Sequence, residues 1–230
     1  MDQESNSPIK VIFFHIMREN FSGAQKNLYR LLINLDKDKV YPILLGQVES
    51  PLTNLISKKK IETKIIPFPS QLEVYDKKIL TFNLIKIFSF LKGIYIYNSE
   101  FVKECRHIKP DIIWCDNIRT LITLYIACRR MKVKIIWNIW SEPSGKVAWL
   151  LHRLGFFLSD VINLEYKKQD EKILGKLANY SYFQKKLIPI YTGVSDFETL
   201  TGSNIRKELS LQSDDILIIM ASNIVHGKDN

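Results

Sequence analysis

Short runs of almost unbroken aliphatic and aromatic residues recur along this chain, with segments of helical periodicity between them. The first, residues 10–16, reads Lys-Val-Ile-Phe-Phe-His-Ile. A strand apolar on both faces must be covered on both faces, the situation of a parallel sheet held between helix layers. Comparable runs occupy 41–45, 61–66, 111–115, 133–139, 160–163 and 187–190. Between the first two, Leu28, Leu31, Leu32 and Leu35 fall at i, i+3, i+4 and i+7, one apolar stripe. Ser22 and Gln25 stand where a capping box would open that helix. Leu52, Leu55 and Ile56 mark a second helix, with basic residues at its end up to Lys60, and helices are also expected over 118–131, 146–158 and 166–178. Strand and helix thus alternate. The expected fold class is α/β, a Rossmann-like doubly wound parallel sheet.

One segment breaks the rhythm. Residues 79–108 carry Ile79, Leu80, Phe82, Leu84, Ile85, Phe88, Leu91, Tyr95 and Tyr97 in a long apolar and aromatic stretch. Lys86 and Lys92 interrupt it, so an uninterrupted span of about 20 apolar residues does not arise. A helix apolar around most of its circumference is either buried or seated in a membrane interface. Burial is the expectation. The net charge of +9 keeps an anionic membrane surface open as a partner. The Lys and Arg clusters are scattered and no nucleic-acid motif accompanies them, so nucleic acid is not expected as a partner. The start of the chain lacks the basic and apolar pattern of a signal peptide, which gives a cytoplasmic expectation. The three cysteines, Cys105, Cys115 and Cys128, lie apart within apolar runs and read as buried free thiols.

In an open α/β sheet, ligands bind beyond the carboxyl ends of the strands. Ser22 and Gly23 open the first helix there, where backbone amides and the helix N-terminus favour an anion. The plainer reading of Gly23 is a glycine that only saves space. Asp116 and Asn117 follow the fourth strand; they can hydrogen-bond a hydroxyl-rich substrate, or Asn117 can simply cap the next helix. The 138–145 stretch offers Asn138, Trp140 as a stacking face and Glu142 as a carboxylate. His15 is a lone histidine at a strand end and reads first as a hydrogen-bonded core residue. No GxGxxG fingerprint, Walker loop, hydrolytic triad or metal-ligand cluster is present, so neither a bound cofactor nor a metal is expected.

Several pieces, in order, resemble glycosyltransferase family 4, whose members are GT-B enzymes of two facing Rossmann-like domains. Ser22, Gly23, Ala24 and Gln25 resemble that family's small-residue "GGAE" helix start. Lys109, Pro110, Asp111, Ile112 and Ile113 resemble its "KPDIIH" segment, and Ser159, Asp160, Val161 and Ile162 its "aDxvi" element. Thr192, Gly193, Val194, Ser195 and Phe197 are similar to "NGVDxxxF". Arg206 to Leu209, the run at 215–220 and His226, Gly227, Lys228 and Asp229 resemble the opening of the donor domain. Ser222 and Asn223 stand where the family carries an arginine, and the 138–142 stretch replaces a common histidine loop.

The resemblance implies a glycosyltransferase of hexosyl-transfer type that uses a nucleotide-sugar donor and a glycan or lipid-linked acceptor. It implies that Gly23 borders the donor phosphates and the acceptor, that the 138–142 loop occupies the acceptor side, and that Lys228 contacts the donor diphosphate. Residues 1–196 are expected to form the acceptor domain, and 197–230 a linker with the first strand of a donor domain. The Glu-x7-Glu segment of the donor site would lie beyond Asn230, so no transfer is expected from this chain alone. The alternative is a non-catalytic domain that binds an acceptor or partner and works with a separate donor-domain chain. Peripheral attachment at the inner face of the membrane is the accompanying expectation.

Overall fold

A computed structural model describes residues 7–16, 21, 23–73, 84–140, 142–143, 145–166, 168–190, 205–212 and 214–216. The chain divides into two compact units, Met1–Thr192 and Gly193–Asn230. The first unit is a seven-stranded sheet in which every pairing is parallel. Its strands are β1 (Ile9–Phe14), β2 (Val40–Gly46), β3 (Glu62–Ile65), β4 (Ile112–Cys115), β5 (Lys134–Ile139), β6 (Val161–Leu164) and β7 (Leu187–Pro189). Their spatial order is β3-β2-β1-β4-β5-β6-β7. The chain therefore winds outward one way from β1 and the other way from β4. That reversal makes the β1–β4 junction the topological switch point of the sheet.

Right-handed crossovers put the two windings on opposite faces. Helices α1 (Gly23–Asn34) and α2 (Pro51–Lys58) cover one face, where Val11, Phe13 and Leu44 pack with Leu28, Leu32, Leu52 and Ile56. On the other face lie α3 (Ser70–Glu73), α4 (Leu84–Cys105), α5 (Ile118–Met131), α6 (Lys146–Leu158), α7 (Gln169–Leu174) and α8 (Ser181–Gln184). There Ile12, Phe14, Cys115, Ile135, Trp137 and Ile162 join Phe101, Leu121, Leu124 and Phe156 in the larger core. Strand residues alternate between these two cores, as a pleated sheet sandwiched between helices requires.

Two aspartates close the ladders from below. The Asp111 carboxylate accepts the Lys10 amide at 2.8 Å while the Asp111 amide donates to Lys10 O at 2.9 Å. Asp160 repeats the arrangement on β5, accepting from the Ile135 amide and donating to Ile135 O. Each side chain supplies an acceptor to an amide that the strand ladder would leave open at its first rung. Asp111 and Asp160, both within the family-like motifs, are thus strand-pairing residues.

The expected 166–178 helix is broken: α7 stops at Leu174 and a 3-10 turn, Gly175–Asn179, follows. Gly175 has φ of 59°, a left-handed conformation that glycine adopts without steric cost. Helices α3 and α8 form without a periodic signal long enough to announce them. In the second unit α9 (Ile205–Glu208) is short. Asp215 and Ile216 lie in irregular backbone, and 217–220 of the expected strand fall outside the described residues.

The largest departure concerns α4. Its second half is buried as expected, through Ile94, Tyr97, Asn98, Phe101 and Cys105, but Leu84, Ile85, Phe88 and Leu91 are exposed. The cause is length. Asn98, itself fully buried, donates to Thr123 O and accepts from the Ala127 amide, both at 2.6 Å. Residue 98 is therefore level with 123–127 of α5, and α5 begins too late to cover the first turns of α4.

Packing in the larger core is tight enough to test. A Cβ on Gly155 would stand 2.7 Å from Trp137 Cζ3 and 2.8 Å from Ile118 Cδ1. Trp137 is fully buried and has no room to yield. Gly155→Ala should lower unfolding stability by about 1–3 kcal/mol, read as a shifted denaturant midpoint. Burial also pushes the Cys105 and Cys128 thiols up to about 12, and Cys115 well above its usual range. At pH 8.5, where a free thiol is about half ionised, all three should resist a thiol reagent in the folded protein. All three should react once denaturant is added.

Candidate functional site

The carboxyl ends of the central strands carry a row of polar residues that the sequence scatters over 149 positions, from His15 to Asn163. Phe14 is paired with Cys115, Cys115 with Trp137, and Asn138 with Asn163. One step along, the same register aligns His15, Asp116, Asn138 and Asn163 across β1, β4, β5 and β6. Each lies two residues on from, or in register with, positions of the α1 side, so the row faces that side. All four are buried.

Their contacts form two groups. His15 Nδ1 lies against the Asp116 carboxylate, and the His15 amide extends the ladder to Leu45 O. The other Asp116 oxygen accepts from Asn117 Nδ2 at 2.7 Å. Asn117 Oδ1 meanwhile accepts the Thr120 amide, and Thr120 Oγ1 accepts the Asn117 amide, a complete capping box for α5. Asn117 thus caps a helix and orients a carboxylate at once. In the second group Asn163 Nδ2 donates to Asn138 Oδ1, and Asn163 Oδ1 accepts the Ile190 amide at 3.1 Å. Asn138 Nδ2 is buried and has no hydrogen-bond partner among the described residues. A buried amide donor is costly to leave unpaired, so it is the atom of the row most ready for an acceptor oxygen.

The remaining candidates surround this row. Gly23 is exposed at the first position of α1, and a Cβ built there meets no described atom within 4 Å. Among the described residues, nothing at Gly23 needs the space a glycine saves. Trp140, just past β5, is half-buried. Glu142 is exposed and accepts from Lys172 Nζ at 2.6 Å and from the Tyr166 hydroxyl. The Lys172 ammonium and then that hydroxyl hold the Glu142 carboxyl below its usual range. Glu142 is thus ionised at neutral pH, a fixed anion at the rim. Ser22 and Lys228 lie outside the described residues.

Sequence reading missed the His15–Asp116 pair, Asn163, and the Tyr166 and Lys172 partners of Glu142. The first was open to discovery. His15 and Asp116 each follow the last residue of a strand, and β1 and β4 are neighbours in the 3-2-1-4-5-6 strand order of the Rossmann fold. Among the described residues, no three His, Cys, Asp or Glu side chains gather as metal ligands would.

Solved structures share this fold. The chain superposes on HepE of Anabaena in complex with UDP-glucose, with a TM-score of 0.56 and 11% identity, over 81% of this chain and 44% of that one. For the lipopolysaccharide outer core galactosyltransferase WaaB the values are 0.54 and 15%, over 81% and 46%. For a UDP-N-acetylglucosamine 2-epimerase they are 0.52 and 12%, over 79% and 48%. The chain spans less than half the length of each of these proteins. What they have in common with it is the Rossmann-like α/β fold of GT-B proteins. No protein-family model and no curated protein matches the sequence.

The open surroundings of Gly23 give a direct test. Gly23→Ala should leave thermal stability unchanged or raise it, by no more than about 1 kcal/mol, since alanine is the better helix former. A loss of stability would mean that Gly23 is needed for packing after all.

Proposed function

We propose that this chain supplies the acceptor-side domain of a nucleotide-sugar-dependent glycosyltransferase of the family 4 type. The observation that carries the reading is the buried polar row at the switch point, with the open start of α1 beside it. The solved structures of this fold include one that holds UDP-glucose and another that is a galactosyltransferase. Residues 1–196 would form the acceptor domain and 197–230 the approach to a donor domain.

Sugar transfer breaks the bond between the anomeric carbon and the donor diphosphate, and an acceptor hydroxyl forms the new bond. Negative charge grows on the leaving diphosphate. The amides and positive dipole end of α1 at Gly23 would stabilise that charge, together with Lys228 as the resemblance assigns it. With Nδ1 held against Asp116, His15 would offer Nε2 to a sugar hydroxyl. The Asn138 amide would donate to an acceptor oxygen. Trp140 would stack on a sugar face, and Glu142 would accept from its hydroxyls. Asp116 and Asn117 act here as positioning residues. The alternative remains a non-catalytic acceptor- or partner-binding domain that works with a separate donor-domain chain.

The test is transfer of labelled sugar from a panel of nucleotide-sugars to glycan and lipid-linked acceptors by the intact protein from its source. His15→Gln and Asn138→Ala should each lower transfer by about 10-fold or more, the scale of a lost transition-state hydrogen bond. Gly23→Ala should weaken nucleotide-sugar use without loss of stability. Acceptor-independent epimerisation of the nucleotide-sugar, or no nucleotide-sugar turnover at all, would overturn the transferase reading.

A further inference from the structure

Because every strand pairing is parallel, the turns that lead from a helix into a strand gather at one edge of the sheet, opposite the polar row. Three of these turns, taken with the helix ends before them, are 58–61 into β3, 103–110 into β4 and 129–134 into β5. Together they hold ten Lys and Arg side chains and one carboxylate, Glu104. Basic clusters scattered along the sequence are thus brought together by the topology.

Cations near a helix C-terminus complement its dipole, which is the plain reading of this charge. That need is met within the last turns, by Lys58 in α2, Lys103 in α4, and Arg129 and Arg130 in α5. Beyond them stand Lys60, Lys109 and Lys132, with φ of 57°, 50° and 58°. This is the left-handed region, which glycine enters freely and a residue with a side chain enters only under strain. All three lysines are exposed, and none forms an ion pair among the described residues. Strained positions cluster where a ligand is held. Here the strain keeps three ammonium groups on one edge where glycine would relieve it.

A cavity of about 540 Å³ opens at the same edge, bordered by His107 and Ile108 of the turn into β4. Lys10, Lys64 and Tyr41 also line it, a mixture of cations and apolar surface suited to a carboxylate on a short stem. The turns into β3 and β5 are four strand spacings apart, about 19 Å, which an extended peptide of about six residues covers. Glu62 and Glu104 stand within the surface, so an unbroken row of phosphates would meet repulsion, whereas a peptide can space its carboxylates around them. No helix among the described residues is long and apolar enough to cross a membrane, and none of the three turns exposes a large apolar side chain for a bilayer to take up.

We propose that the amino edge of this domain is an interaction surface for an acidic segment of a partner protein. Lys60, Lys109 and Lys132 supply its cations, and the cavity seats one of the segment's side chains. The surface lies on the edge away from the candidate site, and the proposal does not rest on the transferase reading.

The probe is a fluorescein-labelled peptide of alternating Glu and Ser, about 12 residues long, titrated with the full 230-residue chain and followed by fluorescence anisotropy. It should bind at low salt and weaken by about 10-fold or more at high salt, as exposed charge pairs are screened. Lys60→Gly, Lys109→Gly and Lys132→Gly should each weaken binding about threefold, and together about 20-fold. Their melting temperatures should hold or rise, because glycine relieves the left-handed backbone. Lys168→Gly makes the same change at the carboxyl edge, where Lys168 is exposed with φ of 70°, and should leave binding unchanged. Absence of binding at low salt would overturn the proposal, as would an equal loss with Lys168→Gly. So would tighter binding of a single-stranded DNA of equal length or of phosphatidylglycerol vesicles, or a fall in melting temperature showing that the three lysines hold the turns.

Discussion

The pairing of β1 with β4 is the constraint on which the rest of this structure depends. These strands are separated by the whole of the first winding, and their alignment decides where the sheet reverses direction. Asp111 fixes the lower end through the Lys10 amide, and the His15–Asp116 contact lies at the upper end. Between them the register is continuous from Val11 and Ile112 to Phe14 and Cys115. A slip of one residue would turn Phe14 and Cys115 out of one core and into the other, which both faces of a sandwiched sheet forbid. The same slip would part His15 from Asp116. Core packing and the candidate site are thus held by one register.

The polar row follows from that register. Buried polar side chains on adjacent parallel strands need partners, and Asp116, Asn163 and the Asn138 oxygen find them in the row and beside it. Asn117 shows the economy of the arrangement: its amide group steadies Asp116 and its carbonyl caps α5. Asn163 similarly serves Asn138 and the Ile190 amide. Asn138 Nδ2, without a hydrogen-bond partner among the described residues, is a donor at the crevice where folds of this topology bind ligands. The proposed acceptor site rests on that convergence.

Helix α4 shows the opposite case, apolar surface left outside. The clamp of Asn98 on α5 fixes how far α4 slides along its neighbour. With the clamp at that level, a 22-residue helix beside a 14-residue one must project at one end. The projecting end is the one without carboxylates. The exposed start of α4 and the proposed site share an edge because both α4 and α5 run antiparallel to the strands they join.

Periodicity determined most of the fold: continuous apolar runs need cover on two faces, and only a parallel sheet between helix layers gives it. The sequence also determined that Asp116, Asn117, Trp140 and Glu142 follow strands and that Asn138 stands near the end of one, because the apolar runs stop there. It could not determine which strand ends are neighbours at atomic level. The His15–Asp116 contact, the Asn138–Asn163 bond and the Tyr166 and Lys172 partners of Glu142 come from residues far apart in the chain, joined by register and loop path. Nor could apolar content reveal that half of α4 is exposed, since a buried and an interfacial helix have the same composition. Only the tertiary structure decided that, because exposure depends on where the neighbouring helix begins.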